Sequence, residues 1–368
     1  MRFLYQAWQD QLPDKGLRPF DRLWDLYQQL LLIASGDVAQ ALRWLTQLDK
    51  EHKLLESEDN YSIGDFIRDL EDQGLIEYDE DRNAMVMTSK SERSLRTRAL
   101  EEVFRNLRQG EMGGHKTAGT GRGPEPEAET KPWSFGEDIH RIDAPNSLLN
   151  ALHHSSIDAF SLKEDDLMVY ETDHSTSVAT VLMIDLSHSM ILYGEDRITP
   201  AKKVALALSE LIMNQYENDS LDIIAFGNKA WPVTIKDLPY LQVGPYHTNT
   251  QAGLELARSI LQRKKYANKQ IFMITDGKPS AMMENGSLYK NSFGLDRKIV
   301  NRVLQEAVKC RREKIRITTF MIASDPYLQG FVRELTEANQ GRAYYASLDA
   351  LGGYLFEDYI RNRRKSVR

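Results

Sequence analysis

The sequence predicts an α/β fold: a Rossmann-like, doubly wound and mostly parallel sheet in the C-terminal half, preceded by a mainly helical N-terminal domain. From about residue 176 onward, short apolar runs alternate with amphipathic segments of helical length, a pattern typical of parallel sheets covered by helices on both faces. Residues 1–109 are dense in helix formers and contain few glycines or prolines. A stretch of unlike composition separates the two parts.

That stretch, residues 110–131, is rich in glycine, proline and glutamate and has no apolar periodicity. Such a composition cannot bury enough apolar surface to offset its ordering entropy, so we expect a flexible linker. We therefore predict that the chain divides into four segments: a helical domain over 1–109, the linker over 110–131, a connecting segment over 132–175 and the α/β domain over 176–368.

Within the N-terminal domain, Ser62–Gln73 is predicted to form a helix that Gly74 ends. Two short runs, Leu75–Tyr78 and Ala84–Thr88, are predicted to pair as a hairpin, and another helix follows to about Arg108. Helix, hairpin and helix in this order resemble a winged helix, a class that often binds DNA.

The charges of this region argue against DNA. The first helix has one basic residue and four acidic ones, and the hairpin adds more carboxylates; the acidic residues are Asp65, Asp69, Glu71, Asp72, Glu77, Asp79, Glu80 and Asp81. Such a face repels phosphate, so we expect protein contact or domain packing. Arg93, Arg96 and Arg98 of the second helix are expected to be solvated.

The C-terminal domain is predicted element by element from its apolar patterning. The strands are Ala179–Ile184, Ser220–Phe226, the edge strand Trp231–Ile235, Gln270–Thr275, Arg316–Ala323 and Ala343–Ala346. The helices are one that starts at Thr199 and Pro200, then Asn249–Leu261, Lys298–Arg312, Tyr327–Asn339 and Leu351–Arg361. Ala179–Ile184 is a short run that is apolar except for Thr180, which indicates a central strand buried on both faces.

The bulk properties exclude several classes of protein. The net charge of −7 disfavours binding of polyanions by the whole chain. A single cysteine, Cys310, rules out an internal disulfide framework. The N-terminal residues do not resemble a signal peptide, and no apolar run approaches the length of a membrane span. We therefore expect a soluble, cytoplasmic protein.

The strongest chemical signal lies where the central strand ends. Asp185, Ser187 and Ser189 occupy positions i, i+2 and i+4, and in an extended segment these positions face the same way. One carboxylate and two hydroxyls can therefore point at one spot. Hard oxygen ligands suit Mg²⁺ or Mn²⁺ better than zinc, which prefers nitrogen and sulfur.

Two further oxygen ligands are predicted at the same edge of the sheet. Thr248 lies in a loop just before a helix, with Thr250 as the alternative, and Asp276 directly follows the strand Gln270–Thr275. Ligands of open α/β sheets bind at the carboxyl ends of the strands. Asp185, Ser187, Ser189, Thr248 and Asp276 are thus the predicted metal ligands.

These residues, in this order, resemble the metal-ion-dependent adhesion site of von Willebrand A domains: Asp-x-Ser-x-Ser, a loop threonine, then Thr-Asp-Gly. The resemblance covers about residues 176–360 and implies that all five are metal ligands, with Thr248 preferred to Thr250. The phrases at 131–136, 276–280 and 325–328 are similar to bacterial CoxE-like von Willebrand A proteins. This closer resemblance implies an intracellular protein that works with a MoxR-type AAA+ ATPase.

The predicted function is binding rather than catalysis. Mg²⁺ takes six ligands, so these side chains would leave a position open for an Asp or Glu of a partner, as expected of an adaptor or scaffold. The alternatives are a Mg²⁺-dependent hydrolase and a nucleic-acid-binding regulator that uses the winged-helix-like domain. His188, between the two serines, suggests a hydrolase, but neighbours on an extended segment point to opposite sides, and no Gly-x-Ser-x-Gly elbow is present.

Overall fold

The computed structural model describes residues 18–55, 61–110, 130–133, 142–153, 161–170, 177–194, 196–276, 278–284, 286–291, 294–322, 326–345 and 351–363. These residues fall into two compact units. The first draws on 1–112 and 177–360, and the second on 113–176 and 361–368. No helix of the described residues is both long enough and apolar enough to cross a membrane.

The N-terminal part of the first unit is helical, with one hairpin. Its elements are α1 (Pro19–Ile33), α2 (Val38–His52), α3 (Ile63–Asp72), β1 (Ile76–Asp79), β2 (Ala84–Met87) and α4 (Ser89–Gly110). Ser62 caps α3, since its hydroxyl accepts from the Asp65 amide and the Asp65 carboxylate accepts from the Ser62 amide. The predicted helix, hairpin and helix are confirmed.

A six-stranded sheet forms the rest of the first unit. Its strands are β5 (Val178–Asp185), β6 (Ser220–Phe226), β7 (Ala230–Val233), β8 (Asn268–Thr275), β11 (Ile315–Met321) and β12 (Arg342–Tyr345). The order is β12-β11-β8-β5-β6-β7, and every pair is parallel except β6 with β7. Every residue of β5 is buried, as its largely apolar sequence predicts. The predicted fold class is confirmed.

Helices cover both faces of this sheet. They are α6 (Ile198–Gln215), α7 (Thr250–Gln262), α8 (Arg297–Arg312), α9 (Pro326–Asn339) and α10 (Leu351–Arg363). One face packs against α7, α8 and α9, with Met183 and Met273 in that core. The other face packs against α6 and α10, and the core there continues into α1 to α4. The N-terminal helices and the sheet therefore share one hydrophobic core.

The start of α6 differs from the sequence prediction. Thr199 is not the helix cap: the helix begins one residue earlier, and the Thr199 amide donates to Oδ1 of Asp196 at 3.0 Å. The Thr199 amide has no acceptor within the helix, and the carboxylate of Asp196 provides one. Asp196, rather than Thr199, therefore supplies the side-chain cap of α6.

Polar contacts also join α4 to α6, which the sequence analysis did not anticipate. Nε of Arg96 donates to Oε2 of Glu210 at 3.0 Å, and Nζ of Lys203 donates to Oε1 of Glu102 at 2.9 Å. Arg98 pairs with Asp25 of α1. The expectation that Arg96 and Arg98 are solvated is wrong, because the helix that carries them packs against two others.

The second unit contains the antiparallel pair β3 (Thr130–Pro132) and β4 (Met168–Tyr170) and the helix α5 (Ala144–Leu152). The sequence analysis named this region only as a connecting segment. Of the predicted linker 110–131, the first residue ends α4 and the last two belong to β3. Residues 111–129 lie outside the described residues.

Candidate metal centre

The candidate centre begins at the carboxyl end of β5. The Asp185 side chain is fully buried there. Its Oδ1 accepts from the Ser187 amide at 2.9 Å, and its Oδ2 accepts from Oγ1 of Thr275 at 2.7 Å. Thr275 ends the neighbouring strand β8, which pairs in parallel with β5. The sheet register thus places a hydroxyl donor beside the carboxylate.

Three hydroxyl side chains lie beyond the strand end. Oγ of Ser187 and Oγ of Ser189 are 3.0 Å apart. Thr248 is held from a different loop: its amide donates to Oγ of Ser280 at 3.0 Å, and its carbonyl accepts from the Ser280 amide at 2.9 Å. All three belong to the wall of one open cleft of about 370 Å³.

The second carboxylate follows β8 directly. Asp276 is buried, and its Oδ1 accepts from the Lys278 amide at 3.4 Å. Nη1 of Arg197, the residue before α6, lies 3.9 Å from Oδ2 of Asp276. One guanidinium therefore lies beside the buried acidic pair.

The environment of Asp185 disfavours the ionised form of its carboxylate. Burial, and then the charge of Asp276, raise the pKa of Asp185 to about 7, although hydrogen bonds from Ser187 and Thr275 oppose the rise. A raised acid pKa means that this site disfavours a second negative charge. The pair therefore provides an environment in which a bound cation would be stabilised.

The structure brings together the five residues that the sequence singled out, at one edge of the sheet. Ser187, Ser189 and Thr248 line the cleft, and the two aspartates are buried at the ends of adjacent strands. Thr250, the alternative, is the first residue of α7 and is not among the lining residues. No group of three or more His, Cys, Asp or Glu side chains suited to a metal occurs among the described residues, so the candidate centre is a set of two carboxylates and three hydroxyls.

Several residues around this set were not among the predicted ligands, although His188 had been considered as a hydrolase residue. The cleft is also lined by His188, Pro245, Tyr246, His247, Lys278 and Ser280. Lys278 could have been found, because it follows Asp276 by two positions. Nothing local in the sequence indicates that Arg197 or Tyr246 lies here. His188 is exposed, and its amide donates to the Tyr246 carbonyl at 3.1 Å.

A hairpin next to the cleft was also missed. It consists of β9 (Ala281–Glu284) and β10 (Ser287–Lys290) and follows Ser280 directly. The Ala281 amide donates to the Thr248 carbonyl at 3.2 Å, so the hairpin is anchored to the loop that carries the candidate ligand.

Comparison with known families matches two parts of the chain. The model of the Rv0959-like protein vWA domain matches residues 178–360, and that of the Rv0959-like protein third domain matches residues 125–172. The chain is 32% identical over 318 residues to the uncharacterized protein Rv0959 of Mycobacterium tuberculosis (strain ATCC 25618 / H37Rv) and equally to Mb0984 of Mycobacterium bovis. The match covers 83% of this chain and 46% of each relative, so the chain spans about half the length of the curated relatives it matches.

Solved structures with a similar fold are more distant in sequence. The vWF domain of the type V pili tip protein Mfa5 from Porphyromonas gingivalis is 12% identical, with a TM-score of 0.44 over 53% of this chain and 98% of that one. The SpRpn10 VWA domain is 16% identical, with a TM-score of 0.37 over 52% of this chain and 100% of that one.

Proposed function

The chain contains a von Willebrand A domain that matches the Rv0959-like model over residues 178–360, and from that premise we propose that it is a metal-dependent protein-binding adaptor or scaffold. The observation that supports this most is the placement of Ser187, Ser189 and Thr248 on the wall of an open cleft, with two buried carboxylates at the adjoining strand ends. Ser187 and Thr248 are themselves buried, at 1% and 2% exposure, and Ser189 is half-buried, so all five residues lie at the inner end of the cleft or behind it.

The donor set fits Mg²⁺ or Mn²⁺. Every candidate ligand is an oxygen, as both ions prefer. Burial, and then the charge of Asp276, raise the pKa of Asp185, so a cation beside the pair would favour the ionised form of this carboxylate, and Arg197 lies 3.9 Å from Asp276. When bound, the ion would supply a positive charge and an open coordination position for a carboxylate oxygen.

The five candidate ligands would have two different roles. Asp185 and Asp276 provide the negative charge behind the site, and the hydroxyls of Ser187, Ser189 and Thr248 provide neutral oxygen donors facing the cleft. Few direct charges leave a bound divalent ion attractive to a further anion. We propose that an Asp or Glu side chain of a partner protein is that anion, and that the site binds rather than catalyses.

The partner proposal has a narrower form. The resemblance of the phrases around residues 131–136 and 276–280 to CoxE-like proteins supports assembly with a MoxR-type AAA+ ATPase. This form rests on sequence resemblance and is analogy at the level of family. Nucleic acid is not part of the proposal, because the helix and hairpin of the N-terminal domain are acidic.

Metal binding is tested by calorimetric titration of the full chain with Mn²⁺. We expect one ion per chain, strong weakening in Thr248→Ala, and loss of binding in Asp185→Asn. Thr250→Ala is the matched control, since this threonine is also buried, lies two positions away and is not among the lining residues. Equal titration of wild type and Asp185→Asn would exclude the site.

Partner binding is tested by pull-down from the native host in Mg²⁺ or in EDTA. We expect partners that are lost in EDTA and recovered when Mg²⁺ is restored, and that Thr248→Ala loses them while Thr250→Ala keeps them. If the same partners are recovered equally under both conditions, adhesion through the metal is wrong.

A further inference from the structure

The cleft beside the candidate centre has an aromatic wall, formed by Tyr246. A Cβ on Gly244 would lie 2.3 Å from the Tyr246 ring, and a Cβ on Gly227 would lie 2.8 Å from the Tyr246 Cβ. Two glycines therefore make room for this side chain, because any larger residue would displace it. Trp231 packs edge-on against the ring, with 6.2 Å between centroids. The ring is thus held in place while 37% of the residue stays exposed.

The aromatic wall is tied to the loop that carries the hydroxyls. The His188 amide donates to the Tyr246 carbonyl at 3.1 Å, and the Gly244 amide donates to the Leu186 carbonyl at 3.3 Å. His188 lies between the two serines of the candidate centre. These bonds fix the Tyr246 loop alongside the Ser187–Ser189 segment, so an apolar surface and a set of oxygen donors face one cleft.

Apart from the two buried carboxylates behind the cleft, which a bound divalent ion would balance, the charged side chains nearest to the cleft include lysines. Among the described residues that line it, none is Asp or Glu, and Lys278 is one of them. Lys290, exposed at the end of β10, is also close: burial, and then the charges of Lys290 and Lys278, lower the pKa of His247, which lines the same cleft. An occupant with negative charge is therefore favoured.

The cleft is larger than a single carboxylate group requires. Its volume of about 370 Å³ falls within the range of roughly 300–1,000 Å³ that is typical of ligand pockets. An exposed aromatic ring in such a cleft offers apolar contact area at low entropic cost. The occupant should therefore carry an apolar group as well as an acidic one.

We infer that the cleft binds a partner segment in which an Asp or Glu lies within two residues of an apolar side chain. The carboxylate faces the hydroxyls of the candidate centre, and the apolar side chain packs on Tyr246. This inference rests on the proposed function and deepens it, since it assigns Tyr246 as a residue that determines specificity.

The test uses the full chain in Mn²⁺ and pools of heptapeptides with Asp fixed at the centre and all other positions randomised. Bound peptides are sequenced and compared with a pool in which Asn replaces the central Asp. For wild type we expect retention of the Asp pool alone, with apolar residues enriched near the Asp. Tyr246→Ala should still prefer Asp over Asn, and the affinity of an enriched peptide should fall roughly tenfold, as loss of one buried apolar contact predicts.

Two further variants serve as controls. Tyr246→Phe keeps the ring and should keep the apolar preference. Tyr289→Ala removes another exposed tyrosine that does not line the cleft, and it should behave as wild type. Thermal unfolding of each variant verifies that the fold persists, and Tyr246→Leu replaces Tyr246→Ala if the latter unfolds.

Different results would exclude the inference about Tyr246 and the proposed function. If wild type retains Asp peptides in a metal-dependent way without any apolar preference, or if Tyr246→Ala and Tyr246→Leu select the same peptides as wild type, the inference is wrong and the proposed function stands. If no metal-dependent difference between the Asp and Asn pools exists, the proposed function fails and the inference fails with it.

Discussion

Replacing Asp185 by Asn should stabilise the metal-free protein while it abolishes metal binding. The ionised Asp185 is buried next to Asp276, and its pKa rises from 3.8 to about 7. The amide has the same shape but no charge. Its oxygen can still accept from the Ser187 amide, and its NH₂ can donate to the Thr275 hydroxyl, which can also accept. The substitution therefore removes the charge and keeps both hydrogen bonds.

The magnitude follows from the pKa shift. Each pKa unit corresponds to about 1.4 kcal/mol, so the rise from 3.8 to about 7 amounts to roughly 4 kcal/mol as an upper bound. Relaxation around the amide reduces the gain, and we expect about 1–4 kcal/mol in the free energy of unfolding at pH 8.

The pH dependence has a definite sign. Between about pH 4 and pH 7 the folded metal-free protein holds a proton on Asp185 that the unfolded chain has lost. The protonated Asp185 therefore contributes to the free energy of unfolding of wild type at low pH. This contribution falls as the pH rises from about 4 to about 7 and does not change above pH 7. Asp185→Asn lacks this fall.

The assay is urea unfolding in EDTA from pH 4 to pH 8, with the same series in Mn²⁺. At a free Mn²⁺ concentration a hundred times the dissociation constant, wild type should gain about 2.7 kcal/mol, and Asp185→Asn should gain nothing. Asp296→Asn, which keeps a cap on α8, is the control and should follow wild type in both series. If Asp185→Asn is less stable than wild type at pH 8 in EDTA, the account of a strained acidic pair is wrong.

Three further predictions concern other parts of the chain. Burial lowers the pKa of Lys202 to about 8, so between about pH 8 and pH 10.5 the unfolded chain holds a proton that the folded protein has lost. The free energy of unfolding, measured with urea, should therefore rise with pH across this window in wild type but not in Lys202→Met. Arg96→Ala removes the guanidinium that pairs with the buried Glu210 and should lower the free energy of unfolding by about 2–4 kcal/mol. Arg297→Ala removes one partner of an exposed ion pair and should change the free energy of unfolding by less than about 1 kcal/mol. Equal effects of the two substitutions would show that burial does not determine the strength of these pairs. Limited proteolysis should cut first within 111–129, the linker predicted from composition, and the two fragments should co-elute in gel filtration because they share one core; separate elution would show that this core is too weak to hold them.

Much of the fold follows from local pattern. The largely apolar run of β5 and its alternation with amphipathic helices predict a buried parallel sheet, and the residues at the strand ends predict the candidate centre. The extended i, i+2, i+4 geometry expected for Asp185, Ser187 and Ser189 is wrong, because β5 ends at Asp185 and a 3-10 helix begins at His188. The sequence alone therefore determined the residue types beyond the strand ends, whereas the turn of the chain after β5 places Oγ of Ser187 3.0 Å from Oγ of Ser189.

The tertiary structure decided what those segments meet. Arg96 and Glu210 are 114 positions apart, and no periodicity in either helix indicates the pairing, which depends on how α4 docks on α6. Tyr246 became the wall of the cleft because Gly227 and Gly244, from a different turn and from its own loop, leave room for its ring. Local sequence sets the conformation and the exposed face of a segment, whereas long-range packing selects the neighbour, because the energy of that contact exists only once both segments are in place.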